Sequence, residues 1–447
     1  MIDQLLANIS FVDVINTCMF IAFSCCYAYQ LFYVLVVLTK KPPEITARRN
    51  HKYAVIVAAR NERAVIGDLM RSIRAQNYPQ ELIDIFVVAD NCTDDTAQVA
   101  KAAGATKVFT RKNAEKVGKG YALEYGIERI RSEHAEAGYE AYFVFDADNV
   151  LDENYFREMN KTFDGGAKAS TSYRNSKNFA SNWISAGYAV WFLREAKFLS
   201  QARLTLNTSC AISGTGFFIA AEVIEAHDGW QWFLLTEDIE FSTSTILDGD
   251  RISYCPTAVL YDEQPITFRD SWNQRFRWAK GFYQVFWRYG ARLAKGMAKN
   301  PKGSRFACYD MLMTISPAML ITFIVAMFNL VIVILGCLGV MSMGNVVASS
   351  LSCVIFCILN YVMFMFLFGV LTTIMEWDVI RASTAMKIRS VFTFPLFMLT
   401  YIPIAFVALF KRAEWKPIRH SISVDVSEYS TTASTSTDAA ADAPEQH

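Results

Sequence analysis

Tyr142-Phe143-Val144-Phe145-Asp146-Ala147-Asp148-Asn149 decides how this chain is read. An apolar run of strand length stops abruptly in two carboxylates one residue apart. In an open α/β sheet, ligands sit beyond the carboxyl ends of the strands. Two aspartates held there are costly unless a cation neutralises them. A divalent metal carrying a diphosphate meets that need: hard oxygen ligands suit it, and phosphate and water complete its shell. The competing reading is a strand-end turn with two solvated acids. The motif by itself leaves both open.

The flanks of this stretch alternate strand and helix patterns. Tyr53–Ala59 reads as a strand, followed by an amphipathic helix around Glu62–Ala75. Leu82–Asp90 is a second strand with a helix at Thr93–Ala103, and Lys107–Thr110 a third with a helix at Gly118–Arg131. Lys168–Tyr173, Gly216–Ala220 and Ile252–Tyr261 add strand-like runs. This order predicts an α/β domain with a parallel sheet and right-handed crossovers.

The whole chain has 447 residues, enough for two or three domains. Its net charge of zero gives nucleic acid no bulk attraction. The 10 cysteines include no Cys-x-x-Cys pair and the 5 histidines are scattered, which argues for free thiols and against a zinc site. The hydrophobic fraction is 53%, with mean hydropathy +0.20, and it concentrates at the two ends. Ile9–Leu38 is longer than the ~20 residues that cross a bilayer. It has no basic leader and no Ala-x-Ala site, so it reads as an anchor. Lys40, Lys41, Arg48, Arg49 and Lys52 follow it, which places the next domain in the cytosol.

Toward the other end, residues 268–305 are basic and aromatic, as a helix lying on an anionic membrane surface would be. Residues 311–341 and 347–374 form an apolar hairpin. Residues 391–410 form a further apolar run, interrupted by Pro395 and Pro403. If that run crosses, the C-terminus lies outside; yet Lys411, Arg412, Lys416 and Arg419 would hold it inside, as a re-entrant run would. Residues 421–447 have a disordered composition. The expected layout is an anchor at 1–40, a catalytic domain at 41–266, interface helices at 267–310, about three apolar segments at 311–412, and a tail at 413–447 of a multi-pass protein of the cell membrane.

Other candidate residues sit where chain segments end. Ala58-Ala59-Arg60-Asn61-Glu62 closes the first strand with small residues that admit a ligand, then charges at a helix N-terminus that favours anions. In Ala89-Asp90-Asn91-Cys92-Thr93-Asp94-Asp95, Thr93 fits an N-cap, while Asp90 is placed beside Asp146 to accept the N–H of a uracil ring. Lys116-Val117-Gly118-Lys119-Gly120 lacks the full P-loop pattern, but Lys119 can meet a phosphate. Gly214-Thr215-Gly216 is a small-residue turn ahead of a strand. Thr236-Glu237-Asp238 lies among Trp230, Trp232 and Phe233, an apolar setting that raises a carboxylate pKa and suits a base; the competing reading is a helix start capped by Thr236. In Gln274-Arg275-Phe276-Arg277-Trp278, Arg277 can neutralise a departing diphosphate and Trp278 can form an aromatic wall.

Taken in order, Asp90, Asp146-x-Asp148, Thr-Glu-Asp238 and Gln274-x-x-Arg277-Trp278 resemble the membrane-integrated family-2 glycosyltransferases of the processive type, such as cellulose, chitin, hyaluronan and poly-N-acetylglucosamine synthases and the nodulation chito-oligosaccharide synthase. The resemblance covers residues 53–310 most closely and implies a GT-A, Rossmann-like fold inserted between transmembrane helices. It also implies a UDP-sugar donor, Mg2+ or Mn2+, a polysaccharide, oligosaccharide or lipid-linked acceptor, a lipid bilayer, and room for accessory export subunits, without nucleic acid. By the same resemblance, Asp90 holds uracil, Asp146 and Asp148 bind ribose and diphosphate with Asp148, further out, on the metal, and Asp238 is the base of an inverting transfer. Arg277 stabilises the leaving UDP, and Ala58, Arg60, Glu62 and Lys119 contact the donor. Gly214, Thr215, Gly216, Gln274 and Trp278 line the acceptor side, and the C-terminus lies outside. Asn329, Asn360 and Glu376 are candidates for lining an export channel or for helix–helix hydrogen bonds. Two further readings stand beside the polymerase: a single-sugar transferase acting on a membrane lipid, and an inactive scaffold, which would have lost one of the acids.

Overall fold

The computed structural model describes residues 11–299, 303–315, 317–340 and 343–413, together with 420, 422–424 and 427. The chain enters through α1 (Phe11–Tyr27) and α2 (Tyr29–Thr39), which together make a stretch long and apolar enough to cross a membrane. It then builds β1 (Tyr53–Ala59), α3 (Ile66–Arg74), β2 (Ile83–Asp90), α4 (Thr96–Ala102), β3 (Lys107–Arg111), α5 (Lys119–Glu133), β4 (Ala141–Asp146) and β5 (Val150–Leu151). There follow α6 (Tyr155–Asp164), β6 (Ala169–Ser176), α7 (Trp183–Arg194), a π-helical turn at Glu195–Ser200, α8 (Gln201–Thr205) and β7 (Phe217–Ala220). α9 (Ala221–Ala226), α10 (Glu237–Asp248) and β8 (Ile252–Asp262) close the domain.

The eight strands form one sheet in the order β3-β2-β1-β4-β7-β6-β8-β5. Its first half is parallel, as the alternating pattern requires. Strands buried on both faces read as unbroken apolar runs, and β1 and β4 do. Val55, Val57, Phe143 and Phe145 enter one core layer with Leu69, Ile73 and Phe156. Ile56, Val88 and Val144 enter the opposite layer with Leu123 and Ile127. The fully parallel sheet is corrected in the second half: β7 runs antiparallel to both β4 and β6. The chain leaves β6 through α7, the π-helical turn and α8, and then enters β7 from the opposite end through the turn at Gly214–Gly216. Gly216 holds φ +65°, and a Cβ there would fall 1.8 Å from Leu260 Cδ2. A side chain at this point would clash and sit in the left-handed region.

Beyond the sheet come α11 (Phe268–Ala298) and α12 (Arg305–Ile315), so the expected boundary at 310 falls inside a helix. α13 (Pro317–Cys337) and α14 (Met343–Met375) make the apolar hairpin, and α15 (Thr384–Leu399) with α16 (Tyr401–Phe410) makes the last apolar run. Among the described residues, four stretches are long and apolar enough to cross a membrane by length and composition. The last of them lies along α11. Arg275 Nη1 donates to Phe397 O at 3.0 Å, Tyr283 Oη to Ala405 O at 3.2 Å, and Lys280 Nζ to Ala408 O at 3.0 Å.

After α16, His420 meets Glu62 at 3.1 Å, at the carboxyl end of β1. Residues 420 and 422–424 thus rest on the catalytic domain, an arrangement that fits the basic residues after α16 better than the outside position the resemblance implies. The disordered reading of these residues is corrected. The other tail residues expected to be disordered, apart from Ser427, lie outside the described residues.

One polar knot joins the two ends of the chain to the catalytic domain. Arg203 in α8 donates twice to Asp310 of α12, at 2.7 Å each, and both side chains are buried. Tyr33 Oη and Tyr29 Oη of α2 donate to the two oxygens of the same carboxylate, at 2.6 and 2.9 Å. A buried ion pair is tolerated only when its remaining hydrogen-bonding capacity is filled, and here two phenols fill it.

Candidate active site

The carboxyl ends of the strands gather the acids. Ala58 of β1 pairs with Val88 on one side and with Asp146 on the other. β1 thus separates Asp90 from Asp146, and their expected adjacency is corrected: the order of strands in space differs from their order in sequence. Asp90 is buried, and its Oδ1 accepts from Arg111 Nη1 at 2.6 Å. Arg111 also donates to Lys116 O at 2.7 Å, tying Asp90 to the loop that carries Lys119.

β1 and β2 end alike, in Asn61 and Asn91 at φ +58° and +52°. Asn61 Oδ1 accepts from Thr93 N at 2.8 Å. Thr93 is therefore a loop contact and not the expected N-cap; Asp94 Oδ1 accepts from Thr96 N at 3.1 Å instead. Glu62 precedes the helix it was expected to start: α3 begins at Ile66, after a turn in which Ile66 N donates to Glu62 O. Ala58 and Arg60 stand half-buried at the same edge.

Asp146 and Asp148 differ in depth. The Asp146 side chain is 36% exposed and that of Asp148 4%, so the expectation that Asp148 lies further out is reversed. The turn after β4 folds back, with Asn149 N donating to Asp146 O, and carries Asp148 inward. Lys119 Nζ donates to Asp146 Oδ1 at 2.5 Å and to Gly214 O at 2.7 Å. Burial, the largest single effect, would lower the Lys119 pKa, but Asp146, Glu237 and Asp238 together outweigh it and the net shift is upward. The Asp148 oxygens receive long hydrogen bonds, 3.4 Å from Asn149 Nδ2 and 3.2 Å from Glu263 N.

Behind Asp148, Asp262 is paired with Arg174. Burial pushes the Asp262 pKa up to about 6, with Arg174 opposing and Asp148 adding to the rise. Mg2+ or Mn2+ fits this donor set. The oxygens are hard, Asp148 keeps lone pairs available, and the surrounding acids favour a cation. No three acidic, His or Cys side chains converge on one point among the described residues, so phosphate and water would complete the shell.

The opposite wall is the N-terminal turn of α10. Gly214 N donates to Asp238 Oδ2 at 2.6 Å. Burial raises the Asp238 pKa, and it pushes neighbouring Glu237 to about 8, with the Asp238 charge adding to the shift. Glu240, one turn on, accepts from Phe233 N and Leu234 N at 2.9 Å each and fixes the aromatic loop before the helix. Thr236 gives no side-chain cap, so the capped helix start is corrected although the helix does begin there. The Thr236 side chain is instead pressed against Gly281 of α11, where a Cβ would lie 2.5 Å away. Thr215 donates to Asn149 Oδ1 at 2.5 Å and accepts from Asp146 N at 2.9 Å, so the Gly214-Thr215-Gly216 turn touches both walls.

α11 brings its motif to this region in separate parts. Arg275 is buried, with its guanidinium 4.3 Å from the Phe397 ring centre. Arg277 is half-buried and makes no ion pair with the acids among the described residues. Trp278 stands edge-on to Tyr188 and Phe192, with ring centres 5.8 and 6.1 Å away. Gln274 Oε1 is buried without a hydrogen-bond partner.

Sequence reasoning missed Arg111, Arg174, Asp262, Glu237 and His420 as site residues. Asp262-Glu263 carries the signature that revealed Asp146: an apolar strand ending in acids. His420 faces Glu62 at 3.1 Å and Asp148 at 3.9 Å. No pattern in the sequence links it to either.

A family model described as "Glycosyltransferase like family 2" matches residues 51–281. The chain is 26% identical over 243 residues to a beta-monoglucosyldiacylglycerol synthase of Synechocystis sp., covering 53% of this chain and 49% of the relative. It is 27% identical over 256 residues to a poly-beta-1,6-N-acetyl-D-glucosamine synthase of Staphylococcus aureus, covering 56% and 58%. It thus spans about half the length of these curated relatives. Its fold is similar to that of a mannosyltransferase from Pyrobaculum calidifontis solved with GDP-mannose and Mn2+, at 15% identity and TM-score 0.51, covering 90% of this chain and 99% of the other.

Proposed function

The chain belongs to glycosyltransferase-like family 2 and is a glycosyltransferase, and from that premise we propose that it moves a sugar from a UDP-sugar, with inversion, to an acceptor held at the membrane. One observation carries this reading: an unbroken series of contacts, Asp238 to Gly214 N, Gly214 O to Lys119, and Lys119 to Asp146, joins a half-buried base to the donor-side acids.

In this reading Asp238 takes the proton of the acceptor hydroxyl, whose oxygen attacks the anomeric carbon as the bond to UDP breaks. The Gly214 amide aims the carboxylate. Asp90 orients uracil, held in place by Arg111. Ala58, Arg60 and Glu62 border the donor, with Asp146 toward the ribose. Lys119 and Arg277 offset the diphosphate charge, and Gln274 and Trp278 receive the acceptor. Bound at Asp148, Mg2+ or Mn2+ would supply Lewis-acid neutralisation of that charge. No protein nucleophile is needed for a single displacement.

The acceptor is a growing polysaccharide or oligosaccharide, or a membrane lipid; the two relatives are named for one of each kind. A specific observation favours the lipid. The residues that would line an export channel are engaged elsewhere: Asn329 exchanges hydrogen bonds with Asn16, the Asn360 amide donates to its own helix, and Glu376 pairs with Tyr173 and Lys197. The basic residues after α2 support a cytosolic catalytic face. Incubating membranes with a panel of labelled UDP-sugars and sizing the product tests the assignment. A lipid carrying one sugar is the expected product, a long glycan restores the polymerase reading, and no transfer from any UDP-sugar removes the donor assignment.

A further inference from the structure

The short segment after α16 makes contacts that the transferase reaction does not use. His420 Nδ1 lies 3.1 Å from both carboxylate oxygens of Glu62, and its Nε2 lies 3.9 Å from Asp148 Oδ2. Ile422 N donates to Glu263 Oε2 at 3.1 Å, and Ile422 O accepts from Lys177 Nζ at 3.3 Å. Ser423 Oγ and Val424 N donate to the two oxygens of Asp68, at 3.2 and 3.1 Å. The Val424 side chain packs with Val150 and Tyr261. The segment is therefore pinned at four successive places, from the end of β1 to the base of α3.

Its placement matters because of charge. Glu62, Asp146, Asp148, Asp262 and Glu263 crowd one edge of the sheet. Lys119 is spent on Asp146, and Arg174 on Asp262. Glu62 and Asp148 have no lysine or arginine partner among the described residues, and the ring of His420 stands between them. That is the position a divalent cation on Asp148 would need.

We propose that residues 420 and 422–424 form an intramolecular strap that blocks the cation position of the donor site, so that a metal-bearing nucleoside diphosphate must displace His420 from Glu62 and Asp148 before it binds. The proposal rests on the donor-site reading above. Displacement is feasible because the strap is held by hydrogen bonds and one small apolar contact, while the incoming ligand brings a doubly charged cation and several phosphate oxygens. The contacts with Asp68 and Val150 lie off the donor site and keep the strap close by when His420 is out.

The test measures Mn2+ binding to the full chain in detergent or nanodiscs, by electron paramagnetic resonance, with and without UDP. A strap seated nine-tenths of the time lowers apparent affinity about tenfold. His420→Ala, Val424→Asp and a chain ending at Arg412 should therefore each bind Mn2+ with UDP more tightly than the wild type. A synthetic peptide of residues 413–427 should weaken binding to the shortened chain. Val424→Asp unseats the strap without touching an acid of the site, so the test survives if the shortened chain fails to fold. Unchanged or weaker Mn2+ affinity in His420→Ala and Val424→Asp overturns the strap; weaker affinity would make His420 part of the donor site instead. Absence of Mn2+–UDP binding in every protein, wild type included, overturns the donor-site reading itself.

Discussion

Asp238 must be ionised to accept a proton, and burial has raised its pKa. The ionised fraction therefore grows as pH rises, and the rate of transfer should climb with pH along a limb whose midpoint lies above that of an ordinary aspartate. Glu237, pushed to about 8 by burial with the Asp238 charge adding to the rise, is still protonated where Asp238 ionises. Glu237→Gln should therefore leave that limb in place; initial rates across the pH range check it, and a limb that moves to lower pH would show that Glu237 carries its charge while Asp238 titrates. Asp238→Asn should abolish transfer and leave UDP binding nearly intact, measured by calorimetry. At this scale the sequence exposed the acids that end apolar runs, Asp146 and Asp148, and the one set among aromatics, Asp238. It hid their partners. Arg111 reaches Asp90 from a neighbouring strand, and Arg174 reaches Asp262 across the sheet, so both depend on register and not on spacing.

α10 and α11 meet where Gly281 leaves room for Thr236, so the base and the Gln-x-x-Arg-Trp motif are held by one helix contact. Gly281→Leu should push the helices apart and lower the rate of transfer much more than it lowers UDP affinity, since the donor acids lie on other elements; comparing the two measurements checks it. Asp310→Asn would leave the Arg203 guanidinium buried without its counter-charge, a cost of about 3–5 kcal/mol. A lowered unfolding temperature in detergent is the expected result. The parallel strands were legible because a strand buried on both faces is apolar throughout. The direction of β7 was not, because a four-residue apolar run has no polarity of its own. The start of α3 was missed because charged residues that suit a helix N-terminus here form the turn before it.

The molecule as a whole carries its catalytic sheet against helices with apolar faces left exposed, including Trp287 at 72% on α11 and Ile374 at 64% on α14. Chelation by EDTA should stop transfer and added Mn2+ or Mg2+ should restore it; transfer that resists EDTA would remove the metal. The glycosyltransferase class was legible because its motifs sit at strand and helix ends whose order the chain preserves. The side of the tail was not, because a hydropathy pattern distinguishes apolar from polar and not crossing from lying alongside. The knot of Tyr29, Tyr33, Arg203 and Asp310 has a consequence for how the protein is made. Tyr33 is synthesised 277 residues before the carboxylate it binds. At translation rates of about 5–20 residues per second, that interval is roughly a quarter of a minute to a minute. Through all of it Tyr29 and Tyr33 lack their carboxylate; Arg194 can meet Gln30, and Phe198 and Ala202 can pack on α2, once they are made, while Arg203 waits unpaired. Ribosomes stalled just short of residue 310 should hold chains whose α2 is more open to protease than in chains stalled well past it. A helix made early is thus among the last to be fully fastened.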